Sequence, residues 1–238
     1  MCGRFTLTKI DGHGIAQRFD VGGRDPYPEE ATLGRFNVCP TEPIAVATAG
    51  EDGERVAQTV RWGLVPPWAR ELGKGFQPIN GRAETAADKR PFAPLMERAD
   101  RRCLVLADGW YEWLRSENPK QPRVPFRYTV DGGEPFAFAG LYGWTKIGDD
   151  FLASATILTT RANEVCAPVH DRMPVVLAGP EEEAAWLAGA DEPELVAPLA
   201  AARTSARPAN PAVNRAGVEG PELIEPPSPE PEAQQSLL

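Results

Sequence analysis

Three residues in this chain could do chemistry near neutral pH: a cysteine at position 2, a glutamate between two aromatics, and a histidine among charged neighbours. Cys2 is small and follows the initiator methionine, so removal of Met1 is expected, with cysteine as the new amino terminus. Such a residue carries an α-amine of reference pKa about 7.7–8.0 and a thiol of about 8.5, both partly deprotonated near pH 7. An amine and a thiol on adjacent carbons capture an aldehyde. The amine forms an imine, and the thiolate closes onto the imine carbon to give a five-membered thiazolidine. The plainer reading is a cysteine that merely follows the start. The capture chemistry also carries an expectation that Cys2 is exposed.

Glu112 sits between Tyr111 and Trp113, after an apolar run at 103–107. Partial desolvation there would raise its pKa and let it both accept and donate protons. Otherwise it is a carboxylate on the polar face of a strand. The chain has two histidines. His170 leads into Asp171-Arg172-Met173-Pro174 and could transfer protons, or could be a satisfied structural group. His13 lies between glycines and is expected at the surface. Asn80 and Arg82, two apart, share a side of an extended segment. They could hold one oxyanion or phosphate, or form an ordinary ion-pair edge with Glu84. Trp62, Trp68, Trp110, Trp113 and Trp144 are more indoles than a core needs, and some could stack on bases. Trp68 follows Pro66-Pro67, a rigid mount for one aromatic.

These groups need a scaffold, and 238 residues with 42% hydrophobic and 25% charged content suit one large domain or two small ones. No apolar run approaches the ~20 residues of a membrane span, and no signal peptide is evident. The four cysteines (Cys2, Cys39, Cys103, Cys166) show no metal-binding spacing, so no metal is expected, and reduced thiols in a cytosol are. The net charge of −9 argues against nucleic acid, but its distribution weakens the argument. Eleven of 34 acidic and three of 25 basic residues lie from Glu181 onward, so the first 180 residues carry −1. A near-neutral body can present a local basic face.

Strand-like runs fall at 44–48, 58–62, 103–107, 126–130, 136–141, 151–159 and 174–177, separated by Gly, Pro and Asp clusters. Helices are expected at 11–19, 84–90, 91–100 and 181–187, with a turn starting at 161–166. Strands that do not alternate regularly with helices favour α+β over a doubly wound sheet. A last strand is expected within 211–224. From 221 the chain is rich in Pro and Glu, so 221–238 is expected to be a disordered tail after a domain at 1–220.

Taken together, Met1-Cys2-Gly3-Arg4-Phe5, Asn37 with Pro40, Arg61-Trp62-Gly63-Leu64-Val65-Pro66, Asn80-Gly81-Arg82-Ala83-Glu84-Thr85, Asp108-Gly109-Trp110-Tyr111-Glu112-Trp113, Ala139-Gly140-Leu141-Tyr142, Thr159-Thr160 and His170-Asp171-Arg172-Met173-Pro174 resemble the SRAP family, the SOS response-associated peptidases or abasic-site processing proteins. The resemblance spans about residues 1–225. It implies a single mixed α+β domain around a curved, barrel-like, mainly antiparallel sheet with a few short helices. It implies a sensor of abasic sites in single-stranded DNA that forms a thiazolidine crosslink through Cys2 and shields the lesion during the DNA damage response, with abasic-site lyase and self-peptidase activities besides. Cys2 would be the nucleophile, Asn80 would position the sugar or the amine, Glu112 would shuttle protons, and His170 would stabilise the opened sugar. Arg4, Asn37, Arg82, Arg90 and Arg172 match DNA-contacting positions, and Trp68 lies in the loop that wedges against bases. The resemblance implies no leader beyond Met1, no cofactor, no membrane partner, a monomer, and a cytoplasmic location on the nucleoid when bound. Two alternatives stand beside it: an N-terminal-nucleophile cysteine peptidase or amidase, and a non-covalent single-strand-binding module.

Overall fold

The computed structural model describes residues 2–9, 12–22, 27–28, 31, 34–114 and 123–226. Thirteen strands fall in two sheets. Five strands close on one another: β3 (Pro43–Ala49), β4 (Arg55–Trp62), β10 (Asp150–Arg161), β9 (Phe136–Ile147) and β6 (Arg102–Ala107), with β6 pairing back to β3. Every pairing in the ring is antiparallel except β4 with β10. Three short strands extend it: β5 (Asn80–Arg82) and β11 (Arg172–Pro174) on β10, and β12 (Val176–Leu177) on β9. The second sheet runs β13 (Thr204–Pro208), β8 (Val124–Val130), β7 (Gly109–Leu114), β1 (Arg4–Leu7), β2 (Arg35–Val38), antiparallel throughout. The expected α+β class around a barrel-like sheet is what the chain forms.

Four of the ring strands, β3, β6, β9 and β10, are buried on both faces over most of their length, which explains why they read as continuous runs rather than alternations, while β4 is partly exposed. Ile44, Val46, Cys103, Val105, Phe136 and Phe138 point to one core with Phe5, Trp62 and Trp110. Their neighbours Ala45, Ala47, Leu104, Leu106, Ala137 and Ala139 point to a second core. Helices α1 (Gly12–Arg18) and α4 (Pro180–Leu187) cover that second core with Ile15, Trp186 and Leu187. At roughly 1.5–3 kcal/mol per fully buried large side chain, these two layers dominate the stability. α4 is held by an ion cluster in which buried Glu183 takes Arg18 at 2.9 Å and Arg55 at 2.7 Å. Helices α2 (Ala83–Ala86) and α3 (Ala93–Met96) are single turns.

Three details differ from expectation. No strand forms within 211–224; its prolines favour 3₁₀ turns at Pro211–Asn214 and Pro221–Leu223. The ordered chain passes the expected boundary at 220, because Leu223 is fully buried with Tyr111, Ala209 and Val213. The remainder of the expected tail, 227–238, lies outside the described residues. The run at 174–177 splits into β11 and β12, serving two neighbours.

Candidate active site

β1 carries the amino-terminal segment into the fold. It pairs with β7 through Arg4–Tyr111, Phe5–Trp110 and Thr6–Gly109. A side chain at 109 would collide there: a Cβ would stand 2.8 Å from the Tyr128 carbonyl and 2.9 Å from Thr6 Oγ1. Asp108, fully buried, pins the far end of β1 by accepting from Thr6 Oγ1, the Thr8 hydroxyl and the Lys9 amide. Phe5 anchors its inner face against Trp62, with ring centroids 5.1 Å apart.

Cys2 therefore sits inside the first core with 0% exposure in the chain that carries Met1, against the expectation of an exposed residue. Burial pushes its thiol pKa well above the ordinary value, and the Glu112 charge adds to the rise. The thiol is thus a protonated donor, 3.8 Å from the Arg4 carbonyl. The Asn80 side-chain amide donates to the Cys2 carbonyl at 2.7 Å. Asn80 comes from β5, whose pairing with Ile157 of β10 fixes it. Its Oδ1 is buried and accepts no hydrogen bond among the described residues.

Glu112 lies on the inner face of β7 with 3% exposure. Burial raises its pKa to about 7, against the pull of the positive amino terminus. A carboxyl of that pKa is close to half ionised at neutral pH and can both give and take a proton. Its charge is also felt by Cys166, whose thiol burial pushes up to about 12. Asp171 in turn acts on Glu112, which puts the 170–172 turn within electrostatic reach.

His170 closes that turn. Its Nδ1 accepts the Arg172 backbone N–H at 3.0 Å, which assigns the neutral ring's proton to Nε2. Ring protonation would instead engage the Asp171 carboxylate, also 3.0 Å from Nδ1. The turn is organised by Asn163, a residue without an assigned role in the sequence. Its Oδ1 accepts the Val165 and Cys166 amides, and its Nδ2 donates to Leu199 O and Thr204 Oγ1.

The expected DNA-contacting residues divide. Trp68 is 54% exposed, and with Trp144 it walls an apolar cleft of about 250 Å³. Arg82 and Arg90 are exposed. Arg4 lines an open cleft of about 550 Å³ with Gly3, Pro40, Trp113, Arg123 and Asn214, while its guanidinium bonds Asn37 Oδ1 and Val213 O at 2.7 Å each. Two of these residues are engaged within the fold. Asn37 is 1% exposed, and its Nδ2 donates to the Arg215 and Val218 carbonyls, so it holds the chain under Arg4. Arg172 is forked onto Glu84 at 2.7 Å twice and bonds Thr159 O at 2.6 Å. The ion-pair edge at Glu84 is thus formed by Arg172, not Arg82. Trp62 and Trp110 are core residues with no free face. Arg123 lines the same cleft as Arg4, and nothing local in the sequence marks a cation that the approach of β8 brings beside Gly3.

The described residues contain no group of His, Cys, Asp and Glu suited to hold a metal ion, and no helix long and apolar enough to cross a membrane. The profile of the SOS response associated peptidase (SRAP) family matches residues 1–216. The chain is 39% identical over 191 residues to the abasic site processing protein YoqW of Bacillus subtilis (strain 168), covering 79% of this chain and 80% of that one. It is 32% identical over 233 residues to the abasic site processing protein YedK of Escherichia coli (strain K12), covering 95% and 100%. A crystal structure of a Bacteroides thetaiotaomicron protein superimposes with a TM-score of 0.80 at 21% identity, covering 94% and 99%, and shares the fold.

Proposed function

Because this chain belongs to the SOS response associated peptidase family, we propose that it processes abasic sites in DNA by capturing the aldehyde of the opened sugar at Cys2. The observation that carries the reading is the meeting of three segments far apart in sequence: the Cys2 carbonyl on the Asn80 amide at 2.7 Å, with the buried Glu112 carboxyl acting on the Cys2 thiol. Single-stranded DNA is the partner, entering by the cleft beside Gly3 and Arg4.

The sequence of steps follows from the pKa order. The thiol is held protonated by burial, so the α-amine exposed by Met1 removal attacks first. It adds to the aldehyde carbon, and the carbinolamine hydroxyl leaves as water with a proton from Glu112. The resulting carboxylate takes the Cys2 thiol proton. Sulfur then bonds the carbon of the protonated imine, the C=N electron pair returns to nitrogen, which keeps its proton, and the thiazolidine is complete. Asn80 orients the Cys2 backbone, and its buried Oδ1 is an acceptor placed for the amine. The Nε2–H of His170 is the donor for the sugar hydroxyl. Beta-elimination from the imine would give lyase activity at the same residues. The buried thiol argues against a peptidase-style thiolate attack, which needs a lowered cysteine pKa.

The test mixes the protein with abasic and intact single-stranded oligonucleotides and resolves the products after heating. A heat-stable adduct with the abasic strand alone is expected. Its absence, or an equal adduct with intact DNA, would sink the proposal.

A further inference from the structure

On the outer face of the five-stranded sheet one row of residues crosses four strands: Arg4 opposite Tyr111, Tyr111 opposite Arg127, Arg127 opposite Arg207. Directly opposed side chains share a face, and like charges so placed are destabilising. Asp108 offsets the Arg127 charge at 3.2 Å, which leaves Arg207 as the member of the pair without a negative partner among the described residues. The next pair on that face is Thr129 with Ser205, two hydroxyls. All four line a cleft of about 160 Å³ with Lys9, Gly132 and Gly133. The Lys9 ammonium lies over Gly133, where a Cβ would stand 3.1 Å from its Nζ.

Two carboxylates near the row are engaged by arginines. Asp108 faces Arg127 at 3.2 Å, and Asp131 takes Arg203 at 2.6 Å. Among the described residues neither the Lys9 ammonium nor the Arg207 guanidinium makes an ion pair. Two unmatched cations and two hydroxyl donors converge in a chain of net charge −9. The cleft is below the ~300 Å³ of ordinary small-molecule pockets, and its donors suit a compact oxyanion.

We propose that this cleft binds a phosphate group, supplied by the backbone of the DNA strand at a distance from the lesion. The choice of a strand rests on the function proposed above. Three strand spacings of ~4.8 Å separate Arg207 from Arg4, about 14 Å in all. The segment that buries Val213 and Leu223 over Tyr111 lies between them.

The experiment compares wild type with the double variant Lys9→Gln/Arg207→Gln, two exposed side chains outside the capture site. Affinity for an intact single-stranded 15-mer is measured across a salt series. The slope of log K against log salt is expected to become shallower by ~0.7, for the one lost phosphate contact. Adduct formation at saturating abasic strand is expected to be unchanged. In a second arm, inorganic phosphate is titrated at constant ionic strength while the amide resonances of Thr129, Gly133 and Ser205 are followed. Saturable shifts in wild type, absent in the double variant, are expected. No saturable shift overturns the phosphate site. Saturable shifts with an unchanged salt slope overturn the strand and leave a site for free phosphate. A wild type that forms no adduct would overturn the capture reading alone, since neither readout of this cleft depends on covalent chemistry.

Discussion

Arg172 closes a two-pronged ion pair on Glu84, both contacts 2.7 Å. Glu84 follows the Asn80–Arg82 strand by two residues, and Arg172 follows His170 by two. The fork thus clamps together the segments that carry two of the proposed catalytic groups. The guanidinium also holds the Glu84 carboxyl below its usual pKa range, so the clamp stays charged at neutral pH.

Arg172→Gln should therefore slow adduct formation while leaving the salt slope of strand binding unchanged. A slope that drops by ~0.7 in the same titration would return Arg172 to the DNA backbone.

Cys2→Ala should abolish the heat-stable adduct and keep non-covalent strand affinity. Cys2→Ser retains the amine, so it should give an imine that borohydride reduction traps but heating releases. A heat-stable adduct in Cys2→Ala, seen on a denaturing gel without reductant, would exclude the thiazolidine.

Glu112→Gln keeps the shape but not the proton. Single-turnover capture should slow by roughly 10²–10⁴-fold with little loss of affinity. Stability provides an independent check. The folded pKa of about 7 lies above the ordinary 4.5, so the folded state favours the protonated form. Its contribution is full below pH 4.5 and is lost as pH rises through 7. At 1.36 kcal/mol per pH unit, Glu112→Gln should gain about 3 kcal/mol relative to wild type between pH 4.5 and 8. Urea denaturation at the two ends measures it; parallel curves would mean an unshifted carboxyl.

Asn37→Ala should lower stability by about 1–2 kcal/mol, because it removes the partner of two part-buried carbonyls and of one Arg4 donor. Trp68→Ala, at an exposed position, should leave the denaturation curve unchanged and weaken single-strand binding by ~1–3 kcal/mol of lost stacking. Swapped phenotypes would reverse the assignments of the two residues.

The ring strands other than β4 were legible in the sequence because both their faces are buried, which yields runs such as Cys103-Leu104-Val105-Leu106-Ala107. The short strands were not. Arg-Phe-Thr-Leu, Arg-Phe-Asn-Val and Asn-Gly-Arg are extended because of their partners, not their own propensity. The Glu112 environment could be anticipated, since flanking aromatics after an apolar strand signal desolvation. The roles of Asn37 and Asn163 could not: their side chains mostly serve backbone groups, several of them 36 to 181 residues away. The burial of Cys2 was equally hidden, because it depends on β7 arriving from more than a hundred residues downstream.

That last dependence sets a schedule for maturation. The bond before Cys2 must be cut for the amine to exist, yet in the finished fold Cys2 is enclosed. β1 has no partner but β2 until residues 109–114 have been synthesised. An aminopeptidase therefore has open access while the nascent chain is less than half made, and that access closes once β7 docks. Trimming at the ribosome and folding of the barrel are in competition for the same few residues.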